Sequence, residues 1–74
     1  MSNDPKFRAA MKQGARDFAD LPERVKWDAH DDLVLGCFNA RDWYEACGRE
    51  EPPAKGWRTG FADAADVWAM SIHG

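Results

Sequence analysis

Apolar residues recur along the chain at helical spacing in three stretches. Phe7, Met11, Gly14, Phe18 and Leu21 follow one another at intervals of four and three, with Ala10 and Ala15 flanking them, which makes one stripe of an amphipathic helix. Asp4 is placed to cap that helix, Pro5 suits its first position, and Leu21-Pro22 ends it. Leu33, Cys37, Ala40, Tyr44 and Cys47 repeat the same intervals, and Gly48 reads as a C-terminal glycine cap. After the helix-breaking Pro52-Pro53 pair, Trp57, Phe61, Ala64, Trp68 and Ile72 form a third stripe. The pattern predicts an all-α fold: a compact three-helix bundle of antiparallel type, with helices over about 5–20, 30–47 and 54–71 and an extra short helical turn at 22–27. Gly14 in the first helix, and Gly60 with Ala64 in the third, are expected where a neighbouring helix comes close.

The second helix carries more apolar circumference than one core needs. Val34, Leu35 and Phe38 point roughly 100–200° away from its main stripe by the helical period. They are covered either by the Val25–Trp27 connector or by a partner. Trp43 also lies off the centre of the core stripe. Asp28, Asp31 and Asp32 fall where this helix is expected to begin, and there they would cap free amides and complement the positive end of the dipole.

Length then limits the energetics. The 74 residues allow a single domain, 1–74, and a chain of this mass buries only roughly 60% of its unfolded surface. Small domains need further support, and the 4 Trp, 4 Phe and 1 Tyr supply it here as large apolar volume. Met1–Pro5 is not followed by an apolar run, and no stretch approaches the ~18 residues of a membrane span, so a cytoplasmic, non-membrane protein is expected. Cys37 and Cys47, on one predicted helix, would stand about 15 Å apart, too far for a disulfide, and read as two reduced core thiols.

Candidate chemistry is sparse. Asp28-Ala29-His30-Asp31-Asp32 has the oxygen and imidazole donors of a divalent-cation site, but it lacks a second ligand cluster and the glycine and glutamate of a calcium loop. No metal and no cofactor are expected. Glu50 and Glu51 sit in a Pro-rich loop that offers no enclosed pocket for paired-carboxylate catalysis, so the chain is expected not to be an enzyme. Charge is unevenly placed: residues 1–27 carry +2 and residues 28–74 carry -5 of the net -3. Arg8, Lys12 and Arg16 recur every four residues as a basic stripe on the first helix, the pattern of a strip that contacts nucleic acid or an acidic surface. The acidic total argues against direct nucleic-acid binding.

Lys55-Gly56-Trp57-Arg58-Thr59-Gly60-Phe61-Ala62 resembles the second helix of ribosome modulation factor-type proteins over fewer than a dozen residues. Those proteins are basic RNA-site binders, whereas residues 28–74, in which this segment lies, carry -5, and the resemblance is not carried into function. In length, acidity and lack of motifs the chain is also similar to phage-encoded inhibitors of host defence such as anti-CRISPR proteins, a group without a shared sequence signature. The expected function is a small acidic protein–protein interaction module, an inhibitor or adaptor that docks on a larger protein with a basic surface. Val34, Leu35, Phe38 and Trp43 would be its anchors, and Asp28, Asp31, Asp32, Glu50 and Glu51 its steering charges. The alternatives are a nucleic-acid regulator using Arg8, Lys12 and Arg16, or a structural homodimer formed through helix two.

Overall fold

The computed structural model describes residues 4–73. Within them the fold is all-helical, a compact bundle of four helices rather than three: α1 (Pro5–Ala19), α2 (Glu23–Leu35), α3 (Ala40–Ala46) and α4 (Trp57–His73). α1 begins as its sequence predicts. The Asp4 carboxylate accepts the Lys6 N–H at 3.0 Å, and Pro5 opens the first turn.

The expected helix over 30–47 is two helices. Gly36 adopts φ 77 and ends α2, where the Cys37 N–H donates to the Asp32 carbonyl at 2.9 Å in a left-handed glycine cap. Three residues later the Asn39 side chain accepts from the Arg41 and Asp42 N–H groups at 3.0 and 3.2 Å and starts α3. The turn expected at 22–27 is the opening of α2 itself, so α2 begins seven residues before the predicted 30. Asp28, Asp31 and Asp32 therefore lie within the body of a helix and cap nothing. α3 ends at Cys47 and Gly48, the predicted glycine, which has φ 89.

α1 and α4 form the main helix pair, and α2 lies against α4. α1 and α4 run in the same sense, as the first and third helices of an antiparallel-type bundle do. Their backbones meet in ascending order, with Phe7 against Gly56, Met11 against Gly60, and Gly14 against Trp57 and Phe61. A Cβ added at Gly14 would strike the Trp57 carbonyl oxygen and stand 2.8 Å from the Phe61 nitrogen. One added at Gly60 would strike the Met11 carbonyl and stand 2.6 Å from its Cα. The close approach expected at both glycines is present.

Phe61, fully buried, is the hub of the core. Its ring centroid lies 4.8 Å from Trp57, 5.3 Å from Phe18, 5.5 Å from Phe38 and 6.0 Å from Trp43. Trp27 of α2 meets Trp68 of α4 at 4.6 Å, and Tyr44 of α3 meets Trp57 edge-on at 4.9 Å. The aromatic support expected for so short a chain is thus assembled chiefly on one face of α4.

Candidate functional site

The most heavily bonded polar group in the interior is one the sequence pattern did not single out. Asp17, on the buried side of α1, accepts four hydrogen bonds: Trp57 Nε1 at 2.9 Å, Arg49 Nε and Nη2 each at 3.0 Å, and Gln13 Nε2 at 2.8 Å. Burial alone would raise this carboxyl. The bonds from Arg49, Trp57 and Gln13, with the Arg49 charge, outweigh burial and hold it below its ordinary value. A cleft of about 230 Å³ reaches Asp17, lined also by Asp20, Leu21, Pro22, Ala46 and Cys47. Its carboxylate is already committed to four donors, so the network is a structural clasp joining α1, the 47–56 loop and α4.

The predicted anchors separate into two pairs. Val34 and Leu35 are 68% and 73% exposed at the end of α2. Phe38 and Trp43 pack against the core instead. Phe38 is expected on the far side of a continuous helix and Trp43 off the centre of its core stripe, but the break at Gly36 reorients the chain and turns both rings onto Phe61. Trp43 is further fixed by donating its indole N–H to Asp32 Oδ2 at 2.9 Å, which ties α3 to α2 and gives Asp32 a structural partner. The Val25–Trp27 segment does not cover Val34 and Leu35, since it is the first part of the same helix.

Asp28, Asp31 and Leu35, spaced by three and four residues, form one exposed line down the solvent side of α2, and Val34 stands beside its end. Among the described residues neither Asp28 nor Asp31 has an ion-pair partner. Glu50 and Glu51 are exposed in the 47–56 loop, apart from α2, and the Glu50 N–H donates to the Glu51 carboxylate at 3.1 Å. Among the described residues no group of three or more His, Cys, Asp or Glu side chains is arranged to hold a metal ion.

A second surface lies between α1 and α4. Their close crossing leaves an open apolar groove of about 340 Å³, lined by Met11, Lys12, Ala15, Gly60, Asp63, Ala64 and Val67. Arg8, Lys12 and Arg16 are exposed along its α1 edge, and Asp63 and Asp66 along its α4 edge. Val67 and Met70 on the α4 side are 63% and 72% exposed.

The cysteines differ from expectation. Both are free, but Cys37 is exposed in the connector after Gly36, and only Cys47 is partly buried. Burial, with the Asp17 charge nearby, pushes the Cys47 thiol up to about 11.

Among the described residues no helix is long and apolar enough to cross a membrane. No protein-family model matches the chain, and no curated protein or solved structure matches it either.

Proposed function

We propose that the protein is a non-enzymatic docking module that acts within the cytoplasm on a larger protein with a basic surface, as an inhibitor or adaptor. The observation that carries this reading is the outer line of α2, where two exposed aliphatic side chains, Val34 and Leu35, end a strip of unpaired carboxylates at Asp28 and Asp31. Carboxylates without internal partners steer approach to a cationic surface, and adjacent aliphatic groups supply the desolvation that holds the complex. Phe38 and Trp43 have no place in the contact because the core uses them. A small inhibitor of the anti-CRISPR kind, occupying the basic groove of a nucleic-acid-handling protein, fits this chemistry.

The test is affinity capture from the native cell by the wild-type chain, by Leu35→Glu and by Asp28→Lys/Asp31→Lys, with captured proteins identified by mass spectrometry. A basic protein retained by the wild type and lost with both variants supports the reading. Capture that is indifferent to both overturns it. Binding of bare DNA or RNA at ~150 mM salt, lost on Arg8→Ala/Lys12→Ala/Arg16→Ala, would instead assign the protein to nucleic-acid regulation.

A further inference from the structure

We propose that the α1/α4 groove is a self-association surface, and that its occupant is a second copy of this chain related by a two-fold axis running along the groove. The reasoning starts from the charge on its two edges. The α1 edge is basic through Arg8, Lys12 and Arg16, the α4 edge is acidic through Asp63 and Asp66, and the strip between them is apolar. Among the described residues none of these five charges is in an ion pair, so both edges are open to an external partner.

A two-fold interface requires one patch to complement itself, with residue i meeting j and j meeting i. A patch with one sign on each edge satisfies that condition for a rotation about its long axis, which lays each basic edge over the other copy's acidic edge. Rotation about the perpendicular in-plane axis would stack like charge on like and is disfavoured.

The direction of the helices makes the heights agree as well. Because α1 and α4 run in the same sense, Met11 lies level with Gly60, and Lys12 and Asp63 line the same groove from opposite edges. Rotation about the groove axis preserves height. It therefore brings Lys12 toward Asp63 of the second copy and Arg16, one turn on, toward Asp66 of the second copy. Met11 and Ala15 of the opposite chain then come down over Gly60 and Ala64, and Val67, the exposed apolar side chain of the groove, comes level with the exposed Ala19 at the end of the opposite α1. Exposed ion pairs add little binding energy and chiefly set register, while burial of Val67 with the apolar strip of Met11, Ala15 and Ala64 supplies the attraction. The surface is distinct from the outer line of α2, so a dimer would leave Val34 and Leu35 of both copies free for a different partner.

The experiment is sedimentation equilibrium of the full chain from low micromolar to millimolar concentration, with circular dichroism confirming that each variant is folded. The mass of the wild type should rise from one chain to two. Val67→Glu should remain monomeric throughout, and Lys12→Glu or Asp63→Lys alone should weaken dimerisation about tenfold or more. The double variant Lys12→Glu/Asp63→Lys should recover it. An equimolar mixture of the two single variants should associate more strongly than either alone, since both edges of each mixed pair then face opposite charges. Leu35→Glu should leave dimerisation unchanged, so loss of partner capture and loss of dimerisation are separate results. A wild-type chain that stays monomeric at millimolar concentration overturns the proposal. So does a dimer that survives Val67→Glu, one abolished by Leu35→Glu, or a double variant that fails to recover.

Discussion

The indole N–H of Trp57 donates to the carboxylate of Asp17 across 2.9 Å, joining the first turn of α4 to the buried side of α1 over a separation of 40 residues. Trp57 and Asp17 are 1% and 7% exposed, so neither can exchange this bond for water without moving. Asp17→Ala would leave Trp57 Nε1 and Gln13 without an acceptor while Arg49, at the rim, turns toward solvent. The expected loss is about 2–3 kcal/mol, read from denaturant unfolding. Trp57→Phe leaves Asp17 its bonds from Arg49 and Gln13 and keeps most of the ring volume, so it should cost less than Asp17→Ala.

Acid should weaken the fold through the same carboxylate. Asp17 is held below its ordinary value in the folded chain, so its contribution is present above the unfolded value of about 3.9 and is lost as pH falls through the folded value. The stability gap between wild type and Asp17→Asn should therefore be constant near neutrality and shrink progressively below about pH 4. A gap that is unchanged at low pH would show that the Asp17 charge contributes nothing.

At Gly14 and Gly60 the usual sign of a glycine substitution should reverse. In an exposed helix interior, Gly→Ala stabilises by about 1 kcal/mol. Here the new methyl would meet backbone atoms of the facing helix, which cannot rotate away, so Gly14→Ala and Gly60→Ala should each destabilise by about 2 kcal/mol or more. Thermal unfolding should find the midpoint lowered both in these two variants and in Ala9→Gly, an exposed position of α1, so that glycine is favoured at 14 and 60 and alanine at 9.

The two thiols should separate by reactivity. Cys37 is open to reagent, whereas Cys47 is partly buried and its thiol, pushed up to about 11, is almost entirely protonated at neutral pH. Timed alkylation followed by mass spectrometry should find Cys37 modified first and Cys47 only slowly until denaturant is added. Equal rates in the folded protein would contradict the described burial.

Much of this architecture is legible in the residues. Asp4-Pro5, the stripe from Phe7 to Leu21 and the glycines at 14 and 60 announce α1, α4 and their close crossing, because each is a local property. The break at Gly36 was also written locally, as a glycine followed three residues later by the helix-starting Asn39. It was masked because Leu33, Cys37, Ala40, Tyr44 and Cys47 keep a helical interval straight across it. Most of those positions serve the same core from two helices, so the spacing carried on while the backbone did not. Asp17 was the harder case. Its position three residues after Gly14 and four before Leu21 put it on the buried side, but its partners Arg49 and Trp57 lie 32 and 40 residues away, beyond any local pattern. The same limit applied to Phe38 and Trp43, whose burial follows from a change of chain direction rather than from helical angle.

Phe61 has a further consequence. Its ring touches aromatic neighbours from α1, from the connector ahead of α3, from α3 and from α4 itself, and α2 joins the same group through Trp27 on Trp68. No helix keeps a private set of contacts that would outlast the others, so the protein should open as one unit. Native-state hydrogen exchange should then find the slowest amides of α1, α2 and α4 sharing a single opening free energy, and Phe61→Ala should lower it for all three together, by about 3–5 kcal/mol.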